Sequence, residues 1–262
     1  MSLRVDDLFS VNGKVALVTG GATGIGRMIA EGLVVNGARV FIASRKRDVC
    51  EQTAEELGRL GSCTPLQADV ADLDSIGQLI AALSATSDRL DILVNNSGTG
   101  WVQPLESYSP DGWDKTLDVN LRAAFYMVTE SLPLLRASAT PDDPARIINI
   151  GSVSGISQPP TSDNPAYGAS KAGLHHLSTY LAAKLGPEHI TVNAIAPGPF
   201  PSEMMTRTGK FDEHARGVPL GRPGAAQDAA GTALFLASRA GAYVNGVILP
   251  LDGGLLAGGR IS

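Results

Sequence analysis

Residues 15–26 read Val-Ala-Leu-Val-Thr-Gly-Gly-Ala-Thr-Gly-Ile-Gly, so a short apolar run leads directly into a glycine-rich turn. Glycine lets the backbone turn tightly and approach a ligand closely, and the free N–H groups at the start of a following helix attract a phosphate. The spacing is G-x-x-x-G-x-G, which differs from the G-x-G-x-x-G of the usual dinucleotide fingerprint. Its position between an apolar run and a helix-like stretch predicts a nucleotide-binding turn; the alternative is a turn with a purely structural role. The predicted contacts are Gly20, Thr23, Gly24, Ile25 and Gly26.

Short apolar, β-branched runs recur along the rest of the chain and alternate with stretches of helical periodicity. Their continuous hydrophobicity is typical of strands buried on both faces of a parallel sheet, and strands that alternate with helices indicate βαβ units. The sequence therefore predicts an α/β fold: a Rossmann-like doubly wound parallel sheet with helices on both faces, forming a single domain over residues 1–262. The predicted strands are Val15–Val18, Val40–Ile42, Ile92–Val94, Ile147–Ile150, Val192–Ile195 and Val247–Leu249, and the predicted helices cover 25–35, 48–60, 75–83, 110–135, 166–185 and 226–236.

The end of the second predicted strand carries no carboxylate. A site that binds NAD usually has an acidic residue here, about 20 residues beyond the glycine turn, to hold the ribose 2′-hydroxyl. This chain has Ser44 and Arg45 instead. A guanidinium with a hydroxyl suits a 2′-phosphate, which a carboxylate would repel. We therefore expect NADP(H) as the cofactor, with Ser44 and Arg45 as contacts; the alternative is that these cations belong to a solvated loop.

Three polar side chains are predicted to meet at the carboxyl edge of the sheet. Tyr167 and Lys171 are four residues apart near the start of a predicted helix, so they share one face. Ser152 directly follows a predicted strand, at the edge where doubly wound sheets bind ligands. Reduction of a carbonyl needs a proton for the developing alkoxide; a tyrosine can supply it, and a nearby ammonium lowers the pKa of the phenol. The trio predicts hydride transfer between a nicotinamide and a carbonyl or alcohol carbon, with Ser152 holding the oxygen.

Taken together, these residues resemble the short-chain dehydrogenase/reductase family over nearly the whole chain. The T-G-x-x-x-G-I-G turn of that family corresponds to residues 19–26, and its serine and Y-x-x-x-K pair correspond to Ser152, Tyr167 and Lys171. The resemblance implies that Tyr167 is the general acid in reduction, and that Lys171 binds the nicotinamide ribose and lowers the pKa of the tyrosine. Ser154 is an alternative to Ser152, since it would restore a shorter spacing to Tyr167.

The resemblance extends to further motifs. Asp69, followed by Val70, matches the aspartate expected near the adenine, and residues 95–98 resemble the N-N-A-G element. Residues 193–198 resemble the N-x-x-x-P-G segment beside the nicotinamide. Asn120 falls where the family places an asparagine that supports a catalytic water. The cofactor contacts implied by these motifs are Asp69, Val70, Asn96, Ser97, Gly98, Tyr167, Lys171, Pro197 and Gly198.

Several features depart from the family pattern or lie outside its motifs. Ser97 replaces the usual alanine, and Thr23 stands where many NADP-dependent relatives have Arg or Lys, which weighs against NADP(H). The interval between Ser152 and Tyr167 is longer than usual, which is expected to reshape the substrate mouth. Residues 198–219 follow a strand end and are rich in proline; we expect them to cover the substrate, with a plain solvent loop as the alternative.

The substrate is less well determined. The chain resembles most closely the 3-oxoacyl-[acyl-carrier-protein] reductases, including their rhamnolipid-type branch, which implies reduction of a 3-oxoacyl thioester. Another ketone, a sugar or a secondary alcohol is an alternative, and a non-catalytic NADP(H)-binding sensor or scaffold is a further one. Acyl carrier protein is acidic, so docking would need cations near the entrance. Family members are commonly homotetramers, which implies a homotetramer or homodimer here. The candidate docking cations are Arg122, Arg136, Arg207 and Lys210.

Composition argues against other classes of function. The formal net charge is −5, and no basic stripe is present to bind nucleic acid. No run approaches the roughly 18 apolar residues that span a membrane, and no secretory signal is visible, so we expect a cytoplasmic protein with no membrane partner. Cys50 and Cys63 have no metal-ligand spacing and are expected to be reduced thiols. The four histidines form no metal-binding set either, so no metal is expected.

Overall fold

Seven parallel strands form one sheet in the order β3-β2-β1-β4-β5-β6-β7. The structure is a computed structural model that describes residues 3–157, 162–201 and 217–258. The strands are β1 (Val15–Thr19), β2 (Arg39–Ser44), β3 (Ser62–Gln67), β4 (Ile92–Asn95), β5 (Ala145–Ile150), β6 (Ile190–Pro197) and β7 (Ile248–Leu251). The helices within the described ranges are α1 (Val5–Leu8), α2 (Gly24–Val35), α3 (Arg47–Gly58), α4 (Leu73–Ser84), α5 (Pro110–Leu117), α6 (Ala123–Ser138), α7 (Pro165–Leu185), α8 (Ala226–Ala237) and α9 (Leu255–Gly258).

The strand order confirms the predicted doubly wound α/β fold. From β1 the chain adds β2 and β3 on one side and then returns to place β4 on the other side of β1. The two halves of the sheet therefore meet where Val18 of β1 pairs with Val94 of β4. Doubly wound sheets bind ligands in the crevice outside the carboxyl ends of the strands at such a reversal. The glycine turn after β1 and the polar residues after β4 both open into this crevice.

Apolar layers cover both faces of the sheet. Neighbouring residues on a strand point to opposite faces, and accordingly Val18 belongs to the core beneath α2 and α8, whereas Leu17 belongs to the core beneath α4, α6 and α7. Every residue of β1, β4, β5 and β6 is buried. Burial on both faces explains why these strands read as continuous apolar runs in the sequence.

The structure differs from the sequence prediction in the short helices α1 and α9, which were not predicted, and more substantially in β3 and in the helix over 110–135. β3 was missed because it is an edge strand that reads Ser-Cys-Thr-Pro-Leu-Gln, with side chains that are only partly buried or exposed; an edge position tolerates its proline. The predicted helix over 110–135 is divided into α5 and α6 by a π-turn at Asp118–Arg122. In this turn the Ala123 N–H donates to the Asp118 carbonyl, one residue further back than in an α-helix.

None of the helices in the described part of the chain is both long enough and apolar enough to cross a membrane. Among the same residues, no group of three or more His, Cys, Asp or Glu side chains is placed to hold a metal ion. Cys50 is a buried free thiol and Cys63 is a partly buried one.

Candidate active site

The glycine turn has the backbone that the sequence predicts. Gly20 and Gly24 have φ values of 63° and 53°, in the region that favours glycine. A Cβ at Gly26 would lie 2.3 Å from Asn96 Nδ2 and 2.4 Å from the Gly20 carbonyl oxygen, so a larger residue would displace the turn. α2 begins at Gly24, and the exposed Thr23 before it makes no side-chain cap. The turn therefore leaves both backbone space and uncapped N–H groups for an anion.

Asn96 holds this turn against the end of β4. Its Nδ2 donates to the carbonyl oxygens of Thr19 and Gly20, at 2.9 Å and 3.1 Å. In return, Thr19 Oγ1 accepts from the backbone N–H groups of Asn96 and Ser97, at 3.0 Å and 3.1 Å. The side chain of Asn96, predicted as a cofactor contact, is thus engaged in fixing the turn. Gly98, another predicted cofactor contact, lies beside Lys171: a Cβ at Gly98 would be 3.6 Å from Lys171 Nζ.

Ser44 and Arg45 lie beside the glycine turn, because Gly20 N–H donates to the carbonyl of Ala43 at 2.8 Å. Ser44 is partly buried and Arg45 is exposed. Among the described residues the Arg45 guanidinium has no ion pair, whereas its backbone carbonyl accepts from Gln67 Nε2 at 3.3 Å. The loop is therefore fixed while the guanidinium stays free to meet a ligand.

Asp69 and Val70 follow β3 at the same carboxyl edge. The Asp69 carboxylate accepts from the Ala71 N–H at 3.0 Å, and the Asp69 N–H donates to Ser75 Oγ at 3.0 Å. Val70 is buried against Val119 and Ala123. Local hydrogen bonds and packing thus fix the backbone of both predicted contacts.

The structure brings Ser152 and Tyr167 together. The Ser152 hydroxyl is the hydrogen-bonding neighbour that lowers the pKa of the Tyr167 phenol, and Ser152 is buried directly after β5. Ser152 Oγ also accepts from the Ser154 N–H at 3.1 Å. The side chain bonded to Tyr167 is that of Ser152, and Ser154 supports it through its backbone. This geometry favours Ser152 over Ser154 as the serine of the trio.

Lys171 is buried one turn beyond Tyr167 on α7. Its Nζ donates to the Ile150 carbonyl at 2.7 Å and lies 5.8 Å from the centroid of the Tyr167 ring. Burial lowers the pKa of Lys171 to about 8. The three side chains therefore converge within one cluster at the carboxyl edge of β5.

The expectation that Lys171 lowers the pKa of Tyr167 stays a prediction. Burial raises the pKa of Tyr167 above its usual value, and the group that opposes this shift is Ser152, through its hydrogen bond. The physical reason is that a phenolate loses its water on burial, while the Lys171 ammonium is directed at the Ile150 carbonyl. A phenol held in its protonated form is suited to donate a proton.

Asn120 lies in the π-turn and ties two parts of the site together. Its Nδ2 donates to the Thr99 carbonyl and to Ser170 Oγ, both at 2.9 Å, and its Oδ1 accepts from the Thr99 N–H at 2.8 Å. Asn120 is buried, and both ends of its amide are used by the protein. The side chain therefore fixes the loop after β4 to α7, and its expected support of a catalytic water stays a prediction.

Pro197 ends β6, and Gly198 begins the segment predicted to cover the substrate. Gly198 N–H donates to the Leu251 carbonyl at 3.0 Å, and a Cβ at Gly198 would lie 3.0 Å from Asp252 Cα. Residues 202–216 lie outside the described ranges, so the covering role of 198–219 stays a prediction. Near its start, Phe200 is buried and its ring would contact a Cβ at Gly224.

Sequence reasoning gives no functional role to His175, which lies beside the trio, or to Trp101, whose ring lies against Gly112 of α5. Trp101 follows Gly100, where a Cβ would be 3.7 Å from Tyr167 Cδ2, and 37% of Trp101 is exposed. His175 follows Lys171 by four residues on α7 and is buried. The sequence signal that could have identified His175 is its position four residues after Lys171 on the same helix. No sequence pattern distinguishes Trp101.

A parallel sheet with a phosphate-compatible turn and a Ser-Tyr-Lys cluster defines a class of nucleotide-dependent oxidoreductases. In this cluster Ser152 and Lys171 are buried and Tyr167 is partly buried. Residues 20–256 match the family model described as enoyl-(acyl carrier protein) reductase. The chain belongs to the short-chain dehydrogenase/reductase family, as its motifs had indicated.

Individual relatives cover nearly the whole chain. The rhamnolipids biosynthesis 3-oxoacyl-[acyl-carrier-protein] reductase of Pseudomonas aeruginosa is 47% identical over 250 residues, which are 94% of this chain and 97% of the relative. The solved structure of the RhlG/NADP active-site complex from the same organism superposes with a TM-score of 0.91 at 47% identity, covering 94% of this chain and 98% of that one. The gluconate 5-dehydrogenase of Gluconobacter oxydans is 34% identical over 256 residues, which are 95% of this chain and 97% of the relative.

Proposed function

We propose that this protein reduces a carbonyl group to an alcohol with NADPH, and that its preferred substrate is a 3-oxoacyl thioester. The observation that carries the proposal is the convergence of Ser152, Tyr167 and the buried Lys171, whose Nζ lies 5.8 Å from the centroid of the Tyr167 ring, at the edge that also holds the glycine turn. When bound, the cofactor supplies a hydride to the carbonyl carbon. Tyr167 gives its hydroxyl proton to the carbonyl oxygen, and Lys171 stabilises the phenolate that remains until solvent returns a proton.

The residues of the turn fit a dinucleotide. The positive φ values of Gly20 and Gly24, the lack of room for a Cβ at Gly26 and the uncapped start of α2 are what a pyrophosphate requires. Ser44 and Arg45 would meet the 2′-phosphate, and the solved relative at 47% identity is a complex with NADP. These observations support NADP(H) over NAD(H).

Replacing Arg45 with Ala should lower kcat/KM for NADPH by about 10-fold and leave that for NADH unchanged. A charge-assisted hydrogen bond contributes about 1.5–3 kcal/mol, and we expect the low end because Arg45 is exposed. Steady-state kinetics with both cofactors measures the effect. Arg59→Ala, an exposed arginine at the end of α3, is the control. Equal losses with the two cofactors would show that Arg45 does not read the 2′-phosphate.

The rim of the site supports a substrate with an apolar chain. Trp101, Val102, Ile156 and Leu220 are exposed to between 37% and 69% of their surface and belong to loops at the carboxyl edge. Exposed apolar side chains that form one patch mark binding surfaces in soluble proteins, and we propose that these four side chains form such a patch. A 3-oxoacyl chain matches this rim better than the polyol acid named for the gluconate relative. The relative at 47% identity is a 3-oxoacyl-[acyl-carrier-protein] reductase.

Consumption of NADPH with 3-oxoacyl thioesters of increasing chain length, compared with simple ketones and keto-sugar acids, tests the substrate. Trp101→Ala should raise KM for the longest acyl chains by about fivefold, because the lost apolar contact contributes about 1 kcal/mol. The shortest thioester is the internal control, since its chain does not reach Trp101. Faster turnover of a keto-sugar acid than of any acyl thioester would contradict the proposal that the substrate is a 3-oxoacyl thioester.

Recognition of an acyl carrier protein remains a proposal that rests on the acyl substrate. Of the candidate docking cations, Arg122 pairs with Asp118 at 3.0 Å and Arg136 pairs with Glu188 at 2.5 Å. Arg136 lies near the end of α6, at the amino edge of the sheet, and is therefore too far from the crevice to guide a substrate. Arg207 and Lys210 lie outside the described ranges.

We further propose a homotetramer, or at least a homodimer, that pairs through α6 and α7. A groove between these helices is lined by apolar side chains that include Leu121, Tyr126 and Leu177, and Phe125 and Tyr180 in the same groove are exposed to 37% and 58%. Such a face suits a second copy of the chain, and light scattering in solution tests it.

A cytoplasmic location is also proposed, supported by the two free thiols of Cys50 and Cys63.

A further inference from the structure

His175 is a buried titratable residue that the proposed mechanism does not use. It lies on α7 four residues beyond Lys171, so its imidazole faces the sheet on the same side as Lys171. Only 7% of the residue is exposed. Among the residues that the structure describes, none forms a hydrogen bond with His175 Nε2. A buried polar atom without a partner costs about 1–3 kcal/mol, so its retention calls for a reason.

The His175 imidazole packs against residues 151–155. We call this backbone segment, which carries Ser152, the Ser152 turn. A Cβ at Gly151 would lie 2.0 Å from His175 Nε2, and a Cβ at Gly155 would lie 2.8 Å from its Cε1. Gly155 is equally close to the backbone of α7, since its Cβ would be 2.7 Å from the Lys171 carbonyl carbon. Gly151 and Gly155, the first and last residues of the turn, lack side chains, and this allows the turn to contact the His175 ring.

The charge state of the ring follows from its surroundings. Burial and the neighbouring Lys171 ammonium both lower the pKa of His175, and a hydrogen bond with the Gly155 backbone opposes them. Lys171 is the charged group that acts on the ring from α7, and the Ser152 turn carries no charged side chain. The imidazole is consequently neutral near pH 7 and adds no second cation beside Lys171.

We propose that His175 is a positioning residue, which sets the separation between Ser152 and Tyr167 by supporting the Ser152 turn from the helix that carries Tyr167. This inference rests on the proposed function, because the separation matters for proton transfer to the substrate. Ser152 follows β5, whereas Tyr167 and Lys171 lie on α7. The His175 ring is a rigid spacer between the Ser152 turn and α7. Loss of the spacer lets the turn move toward α7 and weakens the hydrogen bond of Ser152 with Tyr167.

Kinetics of His175→Ala test the proposal. We expect kcat to fall by about 10-fold, because a displacement well below 1 Å at the reacting groups already costs part of the 100-fold loss that a 1 Å displacement causes. KM for NADPH should change much less than kcat, since the contacts of His175 are with the Ser152 turn. The control is His189→Asn, an exposed histidine in the left-handed region (φ 58°) that asparagine tolerates. An unchanged kcat, or equal losses of kcat, cofactor affinity and thermal stability, would overturn the proposal.

A double-mutant cycle with Gly151→Ala separates positioning from a general packing effect. Gly151→Ala alone should lower kcat more than His175→Ala, because its methyl group enters the space of Nε2. In Gly151→Ala/His175→Ala the methyl group occupies part of the vacated space, so kcat should recover relative to Gly151→Ala. A double variant slower than Gly151→Ala would contradict the proposal.

Ultraviolet titration of Tyr167 gives a readout that needs no substrate. The signal is the difference between each protein and the same protein carrying Tyr167→Phe. In His175→Ala the titration should shift to higher pH, because the Ser152 hydrogen bond that lowers the phenol pKa is weakened. An unshifted titration would overturn the positioning role. If the parent protein reduced no carbonyl compound, the proposed function would be wrong. The titration would still test the positioning role of His175, because it needs no substrate.

Discussion

Tyr167→Phe is expected to lower kcat for carbonyl reduction by about 1,000-fold or more and to leave the affinity for NADPH unchanged. The variant keeps the ring and removes only the hydroxyl that is bonded to Ser152. General acid catalysis contributes about 100- to 10,000-fold, and we expect the upper part of that range because no other titratable donor has been placed at the carbonyl oxygen. Single-turnover reduction and fluorescence titration with NADPH measure the two quantities.

The matched control for this variant is Tyr243→Phe, since Tyr243 is fully exposed just before β7. It should retain the parental kcat, which shows that loss of a phenol elsewhere is harmless. Parental turnover in Tyr167→Phe would refute the assignment of the proton donor. Loss of NADPH affinity together with turnover would mean instead that Tyr167 serves mainly to bind the cofactor.

The raised pKa of Tyr167 also bears on the direction of the reaction. A phenol that stays protonated at neutral pH is ready to give its proton to a developing alkoxide, as reduction requires. Oxidation of an alcohol would need the phenolate, which burial disfavours. The protonated phenol is therefore suited to the reductive step, the direction named for the reductase at 47% identity.

The sequence predicted the parts of the fold that depend on local patterns. Strands buried on both faces, such as β5, have a continuous apolar signature, and the glycine turn has a fixed spacing at the end of β1. β3 lacks this signature because an edge strand buries little, and its Pro65 argues against a strand. The π-turn at Asp118–Arg122 leaves no trace in the apolar periodicity, since it shifts the hydrogen bonds by one residue without a proline or glycine.

The same distinction holds for the candidate site. Helical spacing placed Tyr167 and Lys171 on one face, and the strand end placed Ser152 beside them. The direction in which Lys171 donates, toward Ile150, depends on how α7 packs on β5 and is invisible in the sequence. The same is true of the contact between His175 and Gly151, because it joins residues from separate elements.

Lys171→Met is expected to lower kcat at neutral pH by about 100-fold. When Tyr167 gives up its proton, a phenolate forms near the Lys171 ammonium, whose Nζ lies 5.8 Å from the ring centroid. At such a separation and an effective dielectric constant of about 20, two unit charges interact by about 3 kcal/mol, which corresponds to about 100-fold in rate. Methionine is similar in length but removes both the charge and the hydrogen bond to the Ile150 carbonyl, so the pH dependence of the rate is what isolates the electrostatic contribution.

The pH dependence of the same variant distinguishes this contribution from loss of packing. Because burial lowers the pKa of Lys171 to about 8, the ammonium is present below that pH and is lost above it. Parental kcat should therefore fall as the pH rises through about 8, while Lys171→Met, already uncharged, should show no such fall. Lys184→Met, at an exposed lysine near the end of α7, should keep both the parental rate and the alkaline fall. An alkaline fall that persists in Lys171→Met would assign it to another group, and a rate equal to that of the parent would remove Lys171 from the proposed mechanism.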